Sequence, residues 1–136
     1  IKGDPLMNKT EKYNIQSIDI HGHGCDVTEL KHVLPPEEFA IETASLFGLF
    51  SDSTRLRILY LLYHREVCVR NIAEAIEMSP PAVSHHLRSL KQLGVITSRR
   101  IGKEVHYTIA DTADGELVSD LLKTVFERRG IYEEDL

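Results

Sequence analysis

The segment His21-Gly22-His23-Gly24-Cys25-Asp26 places two imidazoles and a thiol within five residues. Glycine has no Cβ, so the two intervening glycines let the chain turn these side chains toward one ion. Imidazole nitrogen and thiolate sulfur are ligands for zinc(II) and, as thiolate weight increases, for cadmium(II) or copper(I). His21, His23 and Cys25 are therefore predicted metal ligands, and the chain has one other cysteine, Cys68.

A second group of side chains suited to binding lies in a basic segment, residues 79–107. This segment holds five Lys or Arg and one acidic residue, although the whole chain has 16 basic and 21 acidic residues and a net charge of −5. One basic stretch between acidic flanks indicates a DNA-binding surface. Its candidate contact residues are Ser84, His85, His86, Arg88, Lys91, Arg99, Arg100 and Lys103.

The spacing of these side chains suggests two kinds of DNA contact. Ser84, His85 and Arg88 fall within about one helical turn of each other. Hydroxyl and imidazole groups suit base edges, while longer cationic side chains reach guanine edges or phosphates. Arg99, Arg100 and Lys103 surround a predicted turn, where they suit phosphate or minor-groove contacts that weaken as salt rises.

The elements that must position these residues follow from hydrophobic spacing and capping signals. Residues 1–34 show no sustained period and are predicted to be a flexible arm, residues 35–130 a single domain, and residues 131–136 a tail. The predicted helices are 36–49, a second helix capped by Asp52 or Ser53 and ending near His64, then 69–77, 80–93 and 114–128, with a hairpin of strands 95–101 and 104–109 around Gly102. Ser79 caps the fourth helix, and Gly94 ends it.

The order α-α-α-α-β-β-α predicts a mainly α winged helix-turn-helix. The short third helix, the turn and the capped fourth helix form the helix-turn-helix, and the hairpin forms the wing. The first and last helices have more apolar surface than one small core can cover. We therefore expect them to pair with a second copy across a two-fold axis, as in dimers that read pseudo-palindromic half-sites.

Three motifs, in the right order, carry a family resemblance over residues 36–128. They are Ser51-Asp52-Ser53-Thr54-Arg55-Leu56-Arg57-Ile58-Leu59, then Glu66-Val67-Cys68-Val69-Arg70-Asn71-Ile72-Ala73, then Ser84-His85-His86-Leu87-Arg88-Ser89-Leu90 with the Gly102 wing. The sequence resembles the ArsR/SmtB family of metal-responsive repressors. The resemblance implies a homodimer that binds double-stranded operator DNA and leaves it when an inducer binds.

The resemblance also implies where the inducer binds. Family members often carry Glu-Leu-Cys-Val-Cys-Asp-Leu at the third helix, with ligands from the arm completing the site. Here Cys68 keeps the first cysteine, whereas Arg70 replaces the second and Asn71 replaces the acid. The predicted metal site is therefore Cys68 with the arm ligands His21, His23 and Cys25, although a positive Arg70 close to a metal cation argues against it.

Two other interpretations of Cys68 remain open. It is a buried apolar residue beside a disordered tail, or it forms a disulfide or persulfide link with Cys25 as a thiol sensor. A second metal site of the family, on the last helix, maps to Asp111, Ala113, Thr124 and Glu127. Both imidazoles are missing there, so we expect that site to be vestigial.

Other functional classes are disfavoured. The sequence has no acid–base pair on its predicted rigid elements, no phosphate-binding glycine loop and no His-Glu-x-x-His helix, so we expect no enzyme. In a winged helix used for protein contacts, the fourth helix, which here would be the reading helix that contacts DNA, would be apolar or acidic. The segment from Ser84 to Lys91 is instead polar and basic. No apolar run approaches a membrane span and no signal peptide is evident, so the expected location is the cytoplasm.

Overall fold

The computed structural model describes residues 26–130. Two helices come first, α1 (Val27–Val33) and α2 (Glu37–Gly48). The chain divides into two compact units, one ending at Ala44 and the other beginning at Ser45, so the boundary between them lies inside α2. Residues 27–33, predicted to belong to the flexible arm, are helical because the Asp26 carboxylate accepts from the Thr28 N–H at 2.9 Å and caps the helix.

Helix α3 (Ser53–His64) follows a 3-10 turn, Leu49–Ser51. Its first turn is capped by Asp52, whose Oδ1 accepts from the Arg55 N–H at 2.9 Å. That hydrogen bond holds the pKa of Asp52 below its usual value. Of the two predicted caps, Asp52 is the one used, and the predicted end near His64 is confirmed.

The helix-turn-helix consists of α4 (Val69–Ile76) and α5 (Pro80–Gln92). Glu77 adopts a left-handed conformation, with φ 57°, and the Met78 N–H donates to the Ala73 carbonyl at 3.0 Å, which closes the end of α4. The Ser79 hydroxyl then accepts from the Ala82 N–H at 3.3 Å and caps α5. The short connection holds the two helices in contact.

A three-stranded antiparallel sheet contains β1 (Val67–Cys68), β2 (Ile96–Ile101) and β3 (Glu104–Ile109), in the order β1-β3-β2. The wing is the β2–β3 hairpin, turned at Gly102 with φ 61°. Strand β1 was not predicted, because two residues are too few for a periodic signal. It pairs Val67 with Tyr107 and Cys68 with His106.

One apolar core joins α3, α4, α5, the sheet and the last helix, α6 (Ala113–Arg128). Its fully buried members include Ile58, Leu59, Ile72, Val83, Leu87, Leu90, Val95, Val118 and Leu122. The same core fixes the helix-turn-helix against the wing, since α5 and β2 both contribute to it. No helix within residues 26–130 is long and apolar enough to cross a membrane.

The start of α6 packs tightly against the end of the wing. The Gly115 N–H donates to the Thr112 hydroxyl at 3.0 Å, and that hydroxyl donates to the Gly94 carbonyl at 3.0 Å. A Cβ at Gly115 would overlap the carbonyl oxygen of Ala110. Glycine is therefore needed here for close approach, although its φ is ordinary for a helix.

We expect Gly115→Ala to lower the free energy of unfolding by about 1–3 kcal/mol, because backbone must move to admit the methyl group. Gly48→Ala is the matched control. Its Cβ would meet nothing within 4 Å and its φ is −57°, so we expect it to be neutral or to stabilise by up to about 1 kcal/mol. Urea unfolding followed by circular dichroism measures both, and equal effects would contradict the proposed crowding.

Candidate nucleic-acid interface and sensing residues

Helix α5 has one buried face and one polar face. Val83, Leu87 and Leu90 are fully buried and anchor the helix to the core. At 100° per residue, His85 and Arg88 lie opposite them, with Ser84, His86 and Lys91 at the edges. His85, Arg88 and Lys91 are exposed and the other two are half-buried, so the structure places all five predicted contacts of this helix on its outer side.

The wing is tied to the reading helix by a side-chain hydrogen bond. Lys91 Nζ, in the last turn of α5, donates to the Ser98 hydroxyl of β2 at 2.6 Å. Val95 and Leu90 are both buried beneath this bond in the same core. The basic side chains of the wing therefore have a set position relative to α5, as a two-part DNA surface requires.

Arg99 is less available for DNA than predicted. Its Nε and Nη2 atoms donate to the two carboxylate oxygens of Glu66 at 2.8 and 2.7 Å. These hydrogen bonds hold the pKa of Glu66 below its usual value and raise that of Arg99. Glu66 lies just before β1, so this ion pair fastens the wing to the segment that opens α4.

Three other cations have greater freedom to meet phosphate. Arg88 on α5, Arg100 on β2 and Lys103 at the turn are exposed. Arg100 Nε donates to the Gly102 carbonyl at 3.2 Å, a bond within the turn that leaves the charge uncompensated. Within residues 26–130 none of the three forms an ion pair. Arg88, Arg100 and Lys103 are therefore the strongest candidates for electrostatic contact with DNA.

Cys68 lies at the junction of β1 and α4. It is 3% exposed, it is a free thiol, and it occupies the N-cap position of α4 without a side-chain capping bond. The predicted partners His21, His23 and Cys25 lie outside the described residues, so their approach to Cys68 stays a prediction. Arg70 forms an ion pair with a carboxylate of β3: its Nη2 lies 3.5 Å from Glu104 Oε1.

Two side chains near Cys68 were not predicted to be functional. His106 is the direct cross-strand partner of Cys68, and Glu104 lies two residues earlier on β3, with its Oε2 3.4 Å from His106 Nε2. The spacing Glu-x-His in a predicted strand indicates that the two side chains project from the same face of the sheet. The sequence did not predict β1, so it did not show that Cys68 lies opposite His106.

The second metal site of the family, on the last helix, was predicted to be vestigial, and this stays a prediction. All four residues are exposed: Asp111 lies two residues before α6, Ala113 is its first residue, and Thr124 and Glu127 are in its last turns. Two carboxylates without an imidazole make a poor set for zinc.

Comparisons with known proteins agree with this geometry. The family model described as "Bacterial regulatory protein, arsR family" matches residues 52–98. The chain is 40% identical over 87 residues to the "Cadmium resistance transcriptional regulatory protein CadC homolog" of Staphylococcus aureus, covering 63% of this chain and 69% of that protein. It is 39% identical over 72 residues to the "Transcriptional repressor SmtB homolog" of Synechocystis sp., covering 53% of this chain and 54% of that one.

A solved structure shares the fold. It is a solution structure of the homodimeric winged helix-turn-helix DNA-binding domain of Mb0332 from Mycobacterium bovis. The likeness has a TM-score of 0.59 at 31% sequence identity, and covers 71% of this chain and 87% of that one. The predicted winged helix-turn-helix is confirmed.

Among the described residues Lys103 forms no ion pair, whereas Arg99 is paired with Glu66, so the two side chains should contribute differently to DNA binding. We expect Lys103→Ala to weaken binding to any duplex and to lower the slope of log affinity against log salt by about 0.9, because one phosphate contact is lost. Removing the ion pair with the double variant Glu66→Ala/Arg99→Ala keeps the net charge and should change affinity less than twofold. Fluorescence anisotropy across a salt series measures both.

Lys123→Ala, on α6, is the charge-matched control and should leave the slope unchanged. A slope change for the double variant as large as that for Lys103→Ala would show that Arg99 leaves Glu66 for phosphate on binding.

Proposed function

Since this chain belongs to the arsR family of bacterial regulatory proteins, we propose that it is a homodimeric repressor that binds operator DNA and is released by a metal ion of the zinc, cadmium or copper class. The family resemblance drawn from the sequence is confirmed. The prediction that the chain is not an enzyme is confirmed as well, because the matched relatives are transcriptional regulators.

The DNA-binding part rests mainly on one observation, the polar and basic outer face of α5 beside a cationic wing. Lys91 Nζ of α5 donates to the Ser98 hydroxyl at 2.6 Å, which links the helix that carries Arg88 to the hairpin that carries Lys103. In a winged helix-turn-helix the second helix enters the major groove and the wing lies along the backbone or minor groove. The chain's net charge of −5 repels DNA elsewhere, which favours binding through this face.

The metal response is supported by the residue types and by the names of the relatives. The S. aureus relative is a cadmium resistance regulator, and cadmium(II) favours thiolate ligands. In this chain His21, His23 and Cys25 of the arm with Cys68 would supply two nitrogens and two sulfurs. That set suits tetrahedral zinc(II) or cadmium(II).

Release from DNA follows from linkage. A metal that binds the DNA-free form better than the DNA-bound form must lower operator affinity by the same factor. Cys68 occupies the N-cap position of α4, and α4 contacts α5 directly. Metal binding at Cys68 would therefore act one helix away from the reading face.

Thiol sensing by Cys25 and Cys68 is the second candidate, and the burial of Cys68 argues against it. Reactive sensor thiols are solvent-accessible, because an oxidant or persulfide donor must reach the sulfur. At 3% exposure, Cys68 would need local opening of the β1–α4 junction.

A homodimer is supported by the apolar surface of α2 and α6. Phe39, Ile41 and Phe47 of α2 are 53%, 60% and 56% exposed, and Leu117 and Val125 of α6 are each 44% exposed. Large exposed apolar side chains on two helices are typical of an interface. Pairing would give two reading heads related by a two-fold axis.

We expect zinc(II) or cadmium(II) to weaken operator binding by at least about tenfold, within the usual range of coupling between two sites. The operator is a duplex selected by the protein from a random-sequence library. Anisotropy is measured with the reduced protein, with and without metal. Unchanged affinity at saturating metal would contradict metal release.

We expect Leu117→Glu to weaken the dimer by at least about a hundredfold, because an unpaired charge would be buried at the interface. Lys123→Glu, on the opposite side of α6, is the matched control and should remain dimeric. Sedimentation equilibrium measures both, and a monomeric wild type would overturn the proposed dimer.

A further inference from the structure

We propose that Cys68, Glu104 and His106 form a metal site of their own at the base of the wing. One ligand atom from each residue lies within 4.8 Å of the other two. Metal binding at this site needs no residue of the arm. Only its effect on DNA binding rests on the proposed function. It takes a borderline transition-metal cation such as zinc(II).

The sheet register explains why these three side chains converge. Cys68 and His106 are direct partners in the β1–β3 ladder, and directly opposite side chains project from the same face. Glu104 precedes His106 by two residues and shares that face. Val67 and Tyr107, the adjacent pair, pack against the core on the other face. The thiol, the carboxylate and the imidazole therefore meet on the side of the sheet away from the core.

Cys68 is a buried thiol beside polar side chains of β3. It is buried, but it is absent from the contiguous apolar core formed by the described residues. Ligand atoms of two polar side chains of β3 lie within 4.8 Å of its sulfur, those of His106, which is 21% exposed, and Glu104, which is 45% exposed. A thiol beside an imidazole and a carboxylate has the surroundings of a ligand more than those of a small apolar residue.

The donor set selects the class of metal. Sulfur, nitrogen and oxygen ligands together suit zinc(II) and its spectroscopic substitute cobalt(II), whereas magnesium and calcium require oxygen alone. Zinc bond lengths place tetrahedral ligand atoms roughly 3.4–3.7 Å apart, so the cluster must contract by about 1 Å. Glu104, which is long and nearly half exposed, can make that movement. Three protein ligands leave a fourth position for water or another ligand.

Arg70 competes with the metal for Glu104. Its Nη2 lies 3.5 Å from Glu104 Oε1, while Arg99 is held by Glu66. Each arginine facing the cluster is thus already balanced by a carboxylate. A metal that takes Glu104 frees Arg70, which lies in the first turn of α4. Because α4 contacts α5, this exchange gives the metal a direct route to the reading helix.

Cobalt(II) titration of the reduced full-length protein tests the site. Thiolate-to-cobalt absorption and the visible d–d bands report binding and geometry. We expect His106→Gln and Glu104→Gln each to weaken cobalt(II) binding by at least about tenfold, since loss of a direct ligand should cost no less than loss of an outer partner. Arg70→Ala should strengthen it about two- to fivefold, because an exposed competing ion pair is removed.

Two controls separate this site from the proposed arm site. His32→Gln, in α1, belongs to neither ligand set and should bind cobalt(II) as the wild type does. The triple variant His21→Gln/His23→Gln/Cys25→Ser removes the arm ligands and should retain the thiolate absorption. If the triple variant loses that absorption while His106→Gln and Glu104→Gln keep wild-type affinity, the wing site is overturned and the arm site stands.

X-ray absorption of the zinc-loaded wild type gives a second readout that does not depend on variant folding. The wing site contributes one sulfur to the zinc shell, whereas the arm site with Cys68 contributes two. A shell with two sulfurs overturns the wing site. Anisotropy with the selected operator then separates the wing site from metal release of DNA. If zinc binds with one sulfur ligand and DNA affinity is unchanged, the wing site is supported and metal release is contradicted.

Discussion

Strand β3 pairs along both of its edges, and that double pairing positions the wing cations and the side chains around Cys68. Its pairing with β2 makes the wing, and its two-residue pairing with β1 attaches the wing to the start of α4. Without β1, Cys68 and His106 would have no common face, and the bidentate Glu66–Arg99 pair would span a loop. A very short strand thus joins the region that meets DNA to the region that holds the buried thiol.

The electrostatic arrangement follows from which cations the fold already uses. Arg99 and Arg70 are each paired with a carboxylate near β1, whereas Arg88, Arg100 and Lys103 project outward. The basic segment therefore serves two purposes that its charge count alone does not separate. Part of it locks the wing in place, and the rest supplies the positive field needed against a chain of net charge −5.

The sequence predicted the elements whose signals are long or chemically specific. The periodicity of α3 to α6, the Ser79 cap, the Gly94 stop and the Gly102 turn were all recognisable, because 3.6-residue spacing and turn chemistry are local properties. Helix α1 and strand β1 were missed because seven and two residues carry too little periodicity. Glu104 and His106 were missed for the same reason, since their relation to Cys68 exists only through β1.

The position of Arg70 relates the family resemblance to the side chains around Cys68. It stands where the resembled family often has a second cysteine, and a sequence comparison alone suggests a weakened metal site. In the fold, however, its guanidinium is directed to Glu104, beside a thiol and an imidazole that are cross-strand partners. In the proposed wing site, ligands from β3 would take the place of the one that α4 lacks. Placing them on the wing, instead of the arm, ties metal occupancy to the hairpin that carries Arg100 and Lys103, so inducer and DNA would act on the same strand.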